Sequence, residues 1–193
     1  LEHLGARMVQ HGMSIEDFAG TISVDSTLLT VKDFGGKVGR SAFTTNLTWY
    51  LQADSSRAPH SFTLTSPRLD FDQLFSYLPP SPDPETGQVD HDAGFNVFEL
   101  PFADLHYRFD IAQLNYHRYL LNDFMLQGRM QQDHYLYVDT LALRAAGGEM
   151  RLNGYFNGSN PKAIYFSPNM TLTDVNLDQL LFKFDNFGQD QLV

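Results

Sequence analysis

Apolar and polar residues alternate with a period of two through most of the chain. In the clearest stretch Ala103, Leu105, Tyr107, Phe109 and Ile111 are apolar, while Asp104, His106, Arg108 and Asp110 between them are polar. This is the pattern of a strand with one buried and one wet face. The phase then slips, because Ala112, Leu114 and Tyr116 carry the apolar character, and the slip predicts a bulge or bend near Ile111–Gln113. Shorter alternations follow at Leu136/Val138, Leu141/Leu143, Met150/Leu152, Ile164/Phe166 and Met170/Leu172. Earlier ones stand at Ile22/Val24, Leu29/Val31 and Phe62/Leu64. Asn157-Gly158 has the composition of a tight hairpin turn.

Two short segments leave this pattern for a helical one. Phe71, Leu74, Phe75 and Leu78 lie at i, i+3, i+4 and i+7, behind Asp70 as a capping residue and with Gln73 three positions later. At an offset of 106 residues Leu177, Leu180, Leu181 and Phe184 repeat the spacing, behind Asn176 and with Gln179. Asp17-Phe18 and Asp123-Phe124 share the same offset, as do Asp72-Gln73-Leu74 and Asp178-Gln179-Leu180. Repetition at a fixed period predicts one supersecondary unit used twice. Glycine pairs at Gly35-Gly36 and Gly147-Gly148 are read as corresponding punctuation, with six residues of slack ahead of the second.

The expected fold is mainly β: a meandering antiparallel sheet built from two related repeats, each with a short amphipathic helix. Residues 1–78 form the first β-rich repeat and residues 98–193 the second. Residues 79–97 form a linker, opened by Pro79-Pro80-Ser81-Pro82-Asp83-Pro84, because proline has no N–H for a ladder and cannot sit inside a helix.

Composition narrows the function classes. The net charge of −10 opposes nucleic acid, where affinity rests on Lys and Arg, and opposes docking on anionic headgroups. With no cysteine there is no disulfide, thiolate nucleophile or Cys-type zinc site. No stretch approaches the ~20 apolar residues of a membrane-crossing helix. The chain opens on Leu1 rather than Met, which reads as a piece of a longer parent.

Candidate chemistry is sparse. Seven histidines include His106, His117 and His134, without HExxH or HxH spacing, so no metal is expected. The pairs Asp70/Asp72 and Asp174/Asp178 flank the predicted helix starts, where the helix dipole favours negative charge, which is a commoner role than acid–base catalysis. There is no GxSxG, GxGxxG or Walker pattern. Asn46-Leu47-Thr48, Asn157-Gly158-Ser159 and Asn169-Met170-Thr171 match the glycosylation acceptor pattern. No enzyme and no cofactor are expected.

The second half carries a longer pattern. Leu100-Pro101-Phe102-Ala103-Asp104-Leu105 leads into the alternating strand, followed by Tyr119-Leu120-Leu121-Asn122-Asp123-Phe124-Met125-Leu126-Gln127-Gly128-Arg129-Met130. Then comes Leu136 to Leu143, a Gly147-Gly148 turn, and Glu149-Met150-Arg151-Leu152-Asn153-Gly154. This resembles the carboxy-terminal region of AsmA-like proteins, relatives of TamB, over about ninety residues. The resemblance implies a segment of a periplasmic, inner-membrane-anchored parent in a Gram-negative envelope. It also implies a role in lipid handling or outer-membrane assembly, with phospholipid acyl chains as partners along an apolar sheet face. The candidate lining is Leu105, Tyr107, Phe109, Ile111, Leu141, Leu143, Met150, Leu152, Ile164 and Phe166. Two other readings stay open. One is a secreted β-sandwich binding carbohydrate through Trp49, Tyr50, Tyr116 and Tyr119. The other is a structural repeat with no ligand, its stripes being ordinary core.

Overall fold

The computed structural model describes residues 4–8, 13–52, 58–75, 102–160 and 163–179. The linker expected at 79–97 lies outside them, as do Leu78 and the helix positions Leu180, Leu181 and Phe184. Ten strands follow one another: β1 (Leu4–Met8), β2 (Met13–Val24), β3 (Leu28–Val38), β4 (Ser41–Tyr50), β5 (His60–Asp70), β6 (Leu105–Tyr116), β7 (Tyr119–Gln131), β8 (Tyr135–Ala145), β9 (Gly148–Asn157) and β10 (Tyr165–Thr173). Among the described residues one helical turn, α1 (Phe71–Leu74), lies between β5 and β6, and a second turn occupies residues 177–179. The strands form a single sheet in sequence order.

The sheet is mixed, which corrects the expectation of an antiparallel meander. Every pairing is antiparallel except β5 with β6, which run parallel from His60↔Leu105 to Asp70↔Asn115. A parallel pair needs a crossover that carries the chain back along the strand, a dozen or more residues. The thirty residues between Leu74 and Leu105 supply that length.

The ladders break at matching places in the two halves. Between β2 and β3 the register shifts between Glu16 and Ala19, and between β7 and β8 it shifts between Asn122 and Met125. Asp17 and Asp123 sit in these gaps with left-handed backbones (φ 57 and 51), and each carboxylate faces a cation on the next strand, Lys37 at 3.8 Å and Arg144 at 3.6 Å. Further shifts fall between Val31 and Phe34 and between Val138 and Leu141. The predicted slip in β6 appears opposite Asp123. The pairing passes from Ile111↔Phe124 to Gln113↔Asn122, and Ile111 and Leu114, three apart, are both buried.

Three sequence expectations need correction. Gly35-Gly36 lies inside β3, whereas Gly147 sits in the β8–β9 turn and Gly148 opens β9, so the two pairs are not counterparts. Asn157-Gly158 does not close a two-residue hairpin, because residues 158–164 separate β9 from β10. The predicted caps hold, with Gln73 N–H donating to Asp70 Oδ1 and Gln179 N–H to Asn176 Oδ1, both 3.0 Å. The reciprocal glutamine bond of a capping box is replaced: Gln73 Oε1 accepts from Arg40 N–H at 2.7 Å instead.

All of this knits one rim of the sheet. Asp70 is buried, takes Asn115 Nδ2 at 3.2 Å and stands 2.8 Å from the Arg40 guanidinium. Asp72 accepts from the N–H groups of His117 (2.6 Å) and Arg118 (2.7 Å). Those two residues form the β6–β7 turn with φ 49 and 64, a conformation usually given to Asn-Gly. The carboxylate compensates by satisfying both exposed amides. At the β8–β9 turn Asn176 N–H bonds Ala146 O at 2.9 Å, and Tyr119 reaches Gln179 O with its hydroxyl at 2.7 Å.

Candidate functional site

Residues paired across neighbouring strands point to the same side of a sheet, so the register assigns every side chain to a face. Leu105, Tyr107, Phe109 and Ile111 face the same way as Met130, Gly128, Leu126 and Phe124 of β7. Leu126 opposes Leu141, which opposes Leu152; Leu143 opposes Met150, and Phe156 opposes Phe166. Nine of the ten residues picked from sequence therefore share one face. Ile164 is the exception: it precedes β10 and lies outside the ladder, 45% exposed.

The same face continues through the first half. Phe62 and Leu64 stand beside Tyr107 and Phe109, with the Phe62 and Phe109 rings 5.7 Å apart. Leu47, Trp49, Val31, Leu29, Ile22 and Val24 extend it toward β2. Phe18, Phe34 and Phe43 cluster on it at 5.5 and 5.9 Å. The alternation marks Ile22/Val24, Leu29/Val31 and Phe62/Leu64 as separate pairs, but the breaks at Asp17 and Val31/Phe34 shift its phase and hide that these pairs share one face with Phe18, Phe34, Phe43 and Leu47. Cross-strand pairing is the signal that recovers them. The opposite face is polar, with Thr30, Lys32, Asn46, Thr63, Arg108, Arg129, Arg151 and Asn169 among its members.

Among the described residues no second layer lies across the apolar face. Substantial contacts run between neighbouring strands, with α1 packing on β6 through Phe71 and Tyr116. Buried apolar side chains are correspondingly few there, with Tyr107, Ile111, Leu114, Tyr119, Met130 and Leu143 the larger ones in the second half. Toward its two lateral margins, Phe166 (61%) and Met170 (53%) on β10 and Ile22 (56%) and Val24 (64%) on β2 are exposed.

Tyr107 is the best-anchored member. It lies over Gly128, where a Cβ would collide with its phenol, and its hydroxyl donates to Tyr137 O two strands away at 2.7 Å. Burial, with the Asp139 charge adding to it, pushes its hydroxyl up to about 12. At the rim opposite α1 a cleft of about 500 Å³ opens beside Leu105 and Met130, lined also by Tyr50, His60, Asp104, His106, Arg129 and Gln132. His60 stacks on Trp49 at 3.9 Å and accepts Tyr50 N–H on Nδ1 at 3.0 Å. Its imidazole titrates below the usual range because burial disfavours its cation, against the opposing pull of Asp104.

The rings named for sugar stacking are not assembled into a platform. Trp49 has a face covered by His60, Tyr116 stacks on His117 at 4.1 Å, and Tyr119 is only 4% exposed. Among the described residues no three His, Asp or Glu groups gather into a cation site, and no helix is long and apolar enough to cross a membrane. Set against protein-family models, curated proteins and solved structures, the chain matches none of them.

Proposed function

We propose that this chain is a non-enzymatic segment of an AsmA-like periplasmic envelope protein, and that its apolar sheet face holds the acyl chains of phospholipid. The observation that carries the reading is the single continuous apolar face, bare of a second layer among the described residues and backed by a polar one. An ordinary two-layer core would cover such a face, since burial of apolar surface is worth about 25 cal/mol per Å². A lipid tail is the natural alternative cover. The polar outside keeps the strip in water, and the chain's net charge of −10 disfavours docking on anionic membrane.

We also read the two halves as one unit used twice, each of five strands followed by a capped helical turn. The matched left-handed aspartates, ion pairs, register shifts and caps, all at offsets of 106 or 107 residues, support this duplication.

Native mass spectrometry with solvent extraction, on chain purified from a bacterial host without detergent, tests the lipid reading. Stoichiometric phospholipid is expected, and Leu143→Asp or Phe109→Asp should abolish it while Thr140→Asp on the polar face leaves it. A lipid-free mass with a cooperative thermal transition would overturn the proposal.

A further inference from the structure

We infer that the outer edge of β10 receives, in parallel, strand β1 of a second copy of this chain. The inference rests on the two-unit reading above and carries it from the seam inside one chain to a contact between two.

That seam is the template. There β5, the last strand of the first unit, takes β6, the first strand of the second, in parallel. Asp72, on the helical turn after β5, fixes the end of the arriving strand by accepting the N–H groups of His117 and Arg118 just past β6. β10 stands where β5 stands. It closes its unit, Asn176 caps the following turn 106 residues after Asp70, and Asp178 comes 106 residues after Asp72. Among the described residues β10 pairs with β9 alone. Asp178 is exposed, and among the described residues its carboxylate has no hydrogen-bond or ion-pair partner. Every residue of β10 is exposed and none is charged, so nothing on this edge repels an incoming strand.

The complement sits at the opposite margin of the same sheet. β1 opens its unit as β6 does, pairs antiparallel with the strand after it, and has no strand on its other side among the described residues. The register follows from the seam. Leu4 opposes Phe18 as Ile111 opposes Phe124, and the two phenylalanines are 106 residues apart. Ile111 lies beside Ser66 in the seam, and 106 residues after Ser66 stands Leu172. Leu4 of the second copy therefore falls beside Leu172. The contact is head-to-tail and does not close on itself. Leu172 opposes Met150, so the apolar face runs on from one copy to the next.

The chain has no cysteine, so introduced thiols report this contact alone. A Leu4→Cys chain is mixed with a Leu172→Cys chain and oxidised mildly. The mixed disulfide should dominate over either homodimer, because paired strands bring the two Cα atoms within disulfide reach. In sedimentation velocity the unaltered chain should form a ladder of species that lengthens with concentration. Asp178→Asn should weaken that association about tenfold, the worth of a hydrogen bond to a charged acceptor, and leave the melting temperature of the monomer unchanged. A Leu172→Cys homodimer as the main product would mean that two β10 edges meet, and would overturn the proposal. So would a chain that stays monomeric at every concentration, or association indifferent to Asp178→Asn. These outcomes leave the two-unit reading standing, which the same melts test separately. Asp17→Ala and Asp123→Ala should lower the melting temperature alike, and unequal shifts would overturn that reading.

Discussion

Tyr107 compresses much of the fold into one side chain. Its position in an alternating run makes its inward orientation legible from sequence alone. The purpose of its hydroxyl is not, because the acceptor is the carbonyl of Tyr137, thirty residues on and two strands over, reached only because Gly128 has no side chain. Burial disfavours the phenolate, so the folded-state value of about 12 lies above the ordinary 10.0. A raised pKa means that the tyrosine's contribution is fully present below pH 10 and is lost as pH climbs toward 12. Tyr107→Phe should cost about 1 kcal/mol at neutral pH through the missing hydrogen bond. It should also flatten the fall in melting temperature between pH 10 and pH 12, followed by circular dichroism. Superimposable alkaline profiles for the two proteins would contradict this role.

At the level of elements, strands and caps were readable where the determinants are local. The alternation marks β6, and Asp70 and Asn176 announce their helical turns three residues ahead of Gln73 and Gln179. The β6–β7 turn was not readable, since His117-Arg118 contains neither Asn nor Gly. Its left-handed backbone is held by Asp72, forty-five residues earlier in sequence. The parallel β5–β6 step was hidden for a related reason: strand direction is set by the length of the crossover, to which a period-two pattern is blind. Asp72→Ala should release both turn amides and cost about 2 kcal/mol, the range for hydrogen bonds to a charged acceptor. Chemical denaturation would measure it. Adding Arg118→Gly should restore part of the loss by relieving the left-handed strain. A double variant no more stable than Asp72→Ala would count against the clamp.

Across the whole molecule the candidate face was half legible. The second-half stripe emerged from alternation, but its extension through Phe34, Phe43 and Leu47 appears only once bulges and pairing fix which way each residue points. Among the described residues no strand pairs with the outer edge of β10. Every residue of β10 is exposed, and Tyr165–Thr173 contains no charged side chain to discourage strand addition. Self-association at high concentration is the expected consequence. Asn169→Lys, on the polar face, should suppress it in sedimentation velocity runs without altering lipid occupancy, whereas unchanged association would place the contact elsewhere.

The one parallel seam also divides the chain in time. Each half is a meander whose strands pair with their immediate successors, the low-contact-order arrangement that forms quickly. Joining β5 to β6 instead requires the thirty-four residues between Asp70 and Leu105 to close on themselves, and that entropy must be spent before any cross-seam contact repays it. On that account two half-sheets are expected to form before the whole one, each with a bare edge during the interval. The apolar face would then become continuous only in the last step of assembly.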